Sequence, residues 1–211
     1  MQIKKLGHCC LKIELNGVTV LTDPGAWSTT QTEETGIQII LITHEHSDHL
    51  HVESLKKVLA NNPEAQIVTN DSVGAILTKE GIPFTKLGEG ESNSFLNLLI
   101  EGFGHEHAPI IPEITPVENT SYLLGESLYI PGDAFMLPNK KVDVLALPVC
   151  GPWMHMSDAV AFAEEVRPRV AFPVHDGMLK IIGPFHFVPK MALEKSGIEF
   201  VPMVEGDYKE F

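Results

Sequence analysis

Apolar and polar residues alternate through CLKIEL and again, after Asn16-Gly17, through VTVLTD. Asn-Gly between two runs of period 2 predicts a β-hairpin, because both central turn positions need a positive φ that these residues tolerate. The pattern then changes. IQIILIT (37–43) is apolar almost throughout, as in a strand covered on both faces. HVESLKKVLANN carries Val52, Leu55, Val58 and Leu59 at helical spacing, with Pro63 just beyond. AQIVT (65–69) predicts the next strand, and DSVGAILTKEG a helix with Asp71 as its N-cap and Gly81 at its stop.

Farther along, strands are predicted in SFLNLLIEGF, in NTSYLLG with ESLYI, and in VDVLALPV. SDAVAFAEEVRP predicts an N-capped amphipathic helix closed by proline, RVAFPVH a buried strand, PKMALEKSG a short helix and IEFVPMV the last strand. The Pro/Gly-rich stretches at 108–116 and 183–189 are too short for interdomain linkers, so residues 1–211 are expected to form one domain. A hairpin-rich start followed by strand–helix alternation predicts mixed sheets flanked by helices.

Composition narrows the function classes. A hydrophobic content of 44% can fill a core. The 15 basic and 28 acidic residues leave a net charge of −13 and no basic stripe, which argues against nucleic acid as a partner. No apolar run reaches the roughly 20 residues of a membrane span, and the start lacks the apolar core of a signal peptide. Three scattered cysteines (Cys9, Cys10, Cys150) form neither a disulfide framework nor a zinc knuckle. A cytoplasmic protein acting on a small molecule is the expectation; the oligomeric state is left open.

Candidate chemistry collects where apolar strands end: ILI runs into THEHSDH, LYI into PGD, and VAFPV into HD. Layered α/β folds place their sites at such ends. His44, His46, Asp48 and His49 offer imidazole and carboxylate donors within six positions, the chemistry of a zinc site that keeps a place open for water. His44 and His46, two apart, project to one side of an extended segment. Further donors are His105 or His107 in GFGHEHAP, Asp133 in IPGDAF and His175 in PVHDG.

His44-Glu45-His46-Ser47-Asp48-His49 resembles the His-x-His-x-Asp-His signature of the metallo-β-lactamase superfamily, and the later Asp and His follow in that family's order. The resemblance spans roughly residues 1–206 and implies an αββα four-layer sandwich with metals at one edge. It assigns His44 and His46 to a first metal, Asp48, His49 and His175 to a second, and Asp133 to the bridge between them. The third histidine of the first metal is His105 or His107; alternate residues of a strand face opposite ways, so only one can reach. Gly104-x-x-His107-Ala108 resembles small lactonase-like members and favours His107. Gly7-His8 and Asp23-Pro24 resemble the branch containing ascorbate phosphate lactonase. There His8 could contact the site, and Asp23 either supports a ligand histidine or is a turn residue before proline.

The resemblance implies a hydrolase of a small ester, lactone or phosphodiester, carrying two zinc ions, with manganese or iron also compatible with these donors. Metals about 3.5–4 Å apart lower the pKa of a shared water toward ~7, giving a hydroxide nucleophile that Asp48 would orient. A di-iron redox protein on the same scaffold is the rival; it uses a carboxylate where His46 stands. A non-catalytic metal-binding protein is a third reading. Among the remaining residues, His155 could reach the site mouth, although a structural role suits it better. His51 is expected in solvent, Glu45 pointing away from the metals, Cys150 as a small buried group, and Trp153 and Phe135 in the core.

Overall fold

The computed structural model describes residues 1–211. The chain begins with an antiparallel meander, β1 (Gln2–Gly7), β2 (Cys10–Leu15) and β3 (Val18–Thr22), to which β4 (Ile39–Ile42), β5 (Gln66–Thr69) and β6 (Thr85–Lys86) add in parallel. The parallel strands are joined by α1 (Val52–Asn61) and α2 (Asp71–Lys79). The second half repeats the plan. β7 (Ser92–Phe95), β8 (Leu98–Phe103), β9 (Ser121–Leu124) and β10 (Leu128–Ile130) are antiparallel. β11 (Val144–Pro148), β12 (Val170–Val174) and β13 (Glu199–Phe200) follow in parallel, crossing through α3 (Met156–Val166) and α4 (Gly183–Leu193). β14 (Tyr208–Glu210) then returns to pair with β1, completing two seven-stranded sheets.

Three apolar layers hold this together. The largest lies between the sheets and joins Ile13, Val20, Ile39 and Leu41 of one to Ile100, Tyr122, Val144 and Phe172 of the other. A second seals α3 and α4 onto the second sheet through Phe162, Ala163 and Leu193, and a third seals α1 and α2 onto the first through Leu55, Val58, Val73 and Leu77. Helix, sheet, sheet, helix is the expected αββα sandwich. β4 and β12 are buried at every position, because each is covered by the other sheet on one face and by helices on the other.

Several local expectations are corrected. The N-cap of α2 is Asn70, not Asp71: the Asn70 side chain accepts a hydrogen bond from the Val73 N–H at 3.2 Å. SFLNLLIEGF is not one strand but the turn and two arms of a hairpin, β7 and β8, with Leu96 (φ 50°) and Asn97 (φ 70°) at its tip. The missing glycine hides this turn. PKMALEKSG is the end of a longer helix: α4 starts at Gly183, takes Pro184 in its first turn, where the absent N–H costs nothing, and contains Pro189. IEFVPMV pairs only at Glu199–Phe200, and the true last strand, β14, has an exposed side chain at each position and thus no hydrophobic signal.

Topology sets the site. β1 and β3 both run antiparallel to β2, and β4 is parallel to β3, so the C-terminal ends of β1, β3 and β4 share one edge. β10, β11 and β12 are mutually parallel and end together. A single bridge between His44 and Asn119 ties the two sheets at that edge.

Candidate metal centre

Each strand of this edge hands over one or more polar residues as it ends: His8 after β1, Asp23 after β3, His44 to His49 beyond β4, Asp133 beyond β10 and His175 after β12. His8 (φ 46°), Asp23 (φ 38°) and His175 (φ 60°) all adopt the left-handed conformation, which costs a non-glycine residue about 1–2 kcal/mol. Two glycines admit the close packing. A Cβ on Gly25 would lie 1.7 Å from the Asp48 carbonyl oxygen, and one on Gly132 would lie 2.3 Å from the Asn119 side-chain oxygen.

Donor atoms of His44, His46, His107 and Asp133 lie within 4.8 Å of one another, and so do those of His8, Asp48, His49 and His175. Asp133 joins the two groups: its Oδ1 is 3.1 Å from His49 Nε2, and its Oδ2 is 2.9 Å from His175 Nε2 and 3.3 Å from His107 Nε2. His105 stands apart. Its side chain is 64% exposed, and its Nδ1 is 3.4 Å from Glu118. His155 is exposed at the N-cap of α3, where its backbone N–H donates to Asp158, and its ring belongs to neither group.

Hydrogen bonds assign the tautomers. His49 Nδ1 donates to Asp23 Oδ2 (2.9 Å), His107 Nδ1 to the Ala108 carbonyl (2.6 Å), and His175 Nδ1 to the Cys150 carbonyl. In its neutral form each of these rings carries its one proton on Nδ1, which leaves Nε2 as the lone pair facing the centre. At His49 burial lowers the pKa, but the charges of Asp133 and Asp23 outweigh it and raise the pKa well above its ordinary value, so a cation bound there would displace the Nε2 proton. Those three Nε2 atoms and Asp133 Oδ1 are buried and have no hydrogen-bond partner. His44 Nε2 and His46 Nδ1 face each other at 3.1 Å, and the Thr43 hydroxyl beside His44 Nδ1 is itself held by Asp23. Unpaired buried acceptors cost stability unless something positive lies between them. Divalent cations fit this donor set of imidazoles and carboxylates.

His8 has the opposite tautomer. Its Nδ1 accepts from the Gly177 N–H at 3.1 Å, so its Nε2 carries the proton and donates to Asp48 Oδ2 at 3.1 Å. A donating nitrogen cannot ligate a cation; His8 lies among the donors as a clamp on Asp48. Burial, opposed by the Asp48 hydrogen bond, lowers its pKa to about 4, so the ring stays neutral. Asp48 is pushed up by its own burial, but His8 and His49 prevail and bring it to about 2. Burial likewise opposes ionisation of Asp133, yet His49 and His175 hold its carboxyl well below the usual range. The His44 and His46 rings are lowered by burial and by neighbouring histidines.

Sequence reasoning overlooked three contacts. Trp153, expected in the core, is nearly buried but donates its indole N–H to Asp133 Oδ2 at 2.9 Å. Its local signal is Gly151, where a Cβ would sit 2.7 Å from that nitrogen. Asn119 accepts from the Asp133 N–H and donates to the Pro131 carbonyl, fixing the turn that carries Asp133. Cys9 lies beneath His49 and Asp133; burial and the nearby carboxylates push its thiol up, keeping it a neutral packing group. Phe135 packs on Phe162 and Trp153 and also lines the adjoining cavity. Cys150 is half-buried rather than fully buried, and it is its carbonyl that orients His175.

The description "beta-lactamase superfamily domain" matches residues 2–175. Protein Rv0786c of Mycobacterium tuberculosis is 39% identical over 85% of each chain. A UPF0173 protein, PF0020, of Pyrococcus furiosus is 30% identical over 94% of this chain and 93% of its own. A UPF0173 metal-dependent hydrolase of Symbiobacterium thermophilum is 25% identical, covering 86% and 87%. Among solved structures, the metallo hydrolase Igni18 of Ignicoccus hospitalis superposes with a TM-score of 0.78 at 19% identity, over 100% of this chain and 98% of that one.

Proposed function

The chain belongs to the β-lactamase superfamily, and from that premise we propose that it is a metal-dependent hydrolase of a small ester, lactone or phosphodiester. The observation that carries this is the set of three buried Nε2 atoms and Asp133 Oδ1 that converge without partners. His44, His46 and His107 would hold one cation, Asp48, His49 and His175 a second, and Asp133 would touch both. Zinc suits these donors, and manganese or iron are compatible. Bound there, such cations would polarise the scissile group and lower the pKa of a water toward ~7.

The chain's own residues prepare that chemistry. Asp23, the Ala108 carbonyl and the Cys150 carbonyl orient three imidazoles and raise their basicity as donors. Asp48 remains ionised through the His8 clamp, keeping an acceptor ready to orient an attacking water. Trp153 occupies one side of Asp133 and limits where a metal or proton can approach its Oδ2. The small-molecule substrate enters from the cavity beside His107 and Trp153. No helix is long and apolar enough to cross a membrane.

The test is to measure metal content by mass spectrometry, strip the protein with a chelator, reload it with zinc, manganese or iron, and screen aryl esters, lactones and aryl phosphodiesters. Hydrolysis that disappears on stripping and returns with metal is expected. Full turnover in the stripped protein would overturn the reading.

A further inference from the structure

The cavity beside the centre has a chemical bias that the ligand set does not dictate. It encloses about 840 Å³, the scale of a small-molecule site. His107 and Ala134, the residue after Asp133, are among its lining residues, so a molecule seated there lies next to the donor cluster. Phe135, Leu137 and Trp153 give it an apolar lining, with Phe135 and Trp153 packed ring to ring at 5.2 Å.

The formal charges on that lining are Glu106 and Asp158, and no lysine or arginine is among its residues. His105 at the mouth is already beside Glu118. Lys140 and Lys141 line a separate neighbouring cavity, and Lys140 is ion-paired with Glu101. A phosphate or carboxylate on the part of a ligand distant from the metals would therefore meet two carboxylates beside an apolar wall. It would lose hydration and find no cation in exchange. An alkyl or aryl group gains by burial against the same wall.

Resting on the hydrolase reading for where the reacting group sits, we infer that this cavity selects esters or lactones whose remote group is apolar and not anionic, and discriminates against those carrying phosphate or carboxylate there. The selection would arise from the cavity lining, because that lining and not the donor cluster faces the remote group.

Two aryl hydroxamates test it, sharing one metal-binding headgroup and differing only in a para butyl or para carboxylate substituent. Binding to the zinc-loaded protein is measured by calorimetry. The butyl compound should bind at least about tenfold more tightly, the scale of one uncompensated charge contact. The double variant Glu106→Lys with Asp158→Asn should reduce that ratio several-fold. Both residues are exposed, and the amide oxygen left by Asp158→Asn can still accept the His155 N–H at the start of α3. Equal or tighter binding of the carboxylate compound, or a ratio unmoved by the double variant, would overturn the inference. Hydrolysis of a neutral aryl ester and of its hemisuccinate analogue is followed alongside. Turnover of the hemisuccinate alone would refute the selection and leave the hydrolase reading standing. No turnover with the binding ratio intact would refute the hydrolase reading and leave the selection standing.

Discussion

Two buried polar clusters meet at the peptide bond between His175 and Asp176. On one side, His175 joins the donors around Asp133, whose nitrogens and oxygen face inward without hydrogen-bond partners. On the other, Asp176 accepts from Lys5 Nζ at 2.6 Å and from His186 Nε2 at 2.9 Å, while the same ammonium donates to the carbonyls of Pro173 (2.9 Å) and Met203 (3.2 Å). Lys5, with 1% of its surface exposed, has all three protons placed. Both clusters bury charge, but only one is closed within the chain. The closed cluster fixes architecture: it ties β1 to the loop after β12 and so holds the strand end from which His175 departs. The open one leaves donor atoms that something else could complete. Buried polar atoms therefore point to ligand chemistry when several of them converge without partners, not merely when they are buried.

The largest effect should come from preventing completion of the open cluster. Asp133→Asn, or His107→Ala, is expected to lose metal and to reduce metal-dependent hydrolysis to background, while His105→Ala keeps most of both. Thermal unfolding with and without chelator sharpens the contrast. The wild-type protein should lose stability on stripping, since a bound cation stabilises only the folded state, and the two ligand variants should show little further loss. Loss of metal from His105→Ala with retention in His107→Ala would reverse the assignment of the pair.

Next in size is the closed cluster. Lys5→Met removes the cation from Asp176 and leaves a carboxylate buried with His186 as its remaining side-chain partner. Breaking a buried pair from one side costs about 3–5 kcal/mol. Chemical denaturation should show that loss equally in stripped and metal-loaded protein, because the cluster contains no metal donor. A loss confined to the loaded form would place Lys5 in the metal centre instead.

The difference between the clusters also explains what could be read from sequence. The open cluster announced itself, since a run such as His44-Glu45-His46-Ser47-Asp48-His49 has no packing purpose. Asp133 and His175 were findable because each follows an apolar strand; the changing hydrophobic period pointed to mixed sheets flanked by helices, while His107 and the αββα order came from the family resemblance. The closed cluster left no such trace: Lys5, Asp176 and His186 are 171 and 10 positions apart, and each alone resembles an ordinary polar residue. Trp153 was read as core because its hydrogen bond depends on a tertiary approach permitted by Gly151. The Leu96-Asn97 turn and β14 escaped for a related reason, as neither carries the turn chemistry or alternation that local sequence can display.

A smaller effect lies at His8, which touches the open cluster without belonging to its bare donors. His8→Ala would leave Asp48 without its clamp and is expected to weaken metal affinity by about 10–100-fold, the usual range for a partner that orients a ligand. His8→Gln, which can still donate from a side-chain N–H, should recover part of that loss. If His8→Ala instead lost one metal outright and His8→Gln recovered nothing, His8 would be a ligand and the tautomer argument would fail.

The smallest expected effect is a pH dependence of the closed cluster, visible once the open one has been silenced by chelation. Burial alone would raise the Asp176 pKa, but the His186 hydrogen bond and the Lys5 charge outweigh it and hold the carboxyl below its ordinary value. A carboxylate depressed in the folded state contributes stability that is fully present above its unfolded pKa, about 3.9, and is lost as pH falls through the lower folded value. Within that window the unfolded chain binds the proton and the folded chain does not, so stability rises with pH. Asp176→Asn substitutes a side chain with the shape of the protonated acid that cannot ionise. The variant should therefore be less stable than wild type by a constant amount from neutral pH down to about pH 4, and the gap should narrow below it. Urea denaturation of the stripped proteins, followed point by point across that range, measures the gap. A gap that stayed constant or widened under acid would mean that Asp176 is not ionised in the fold, and that the two clusters differ less than their geometry indicates.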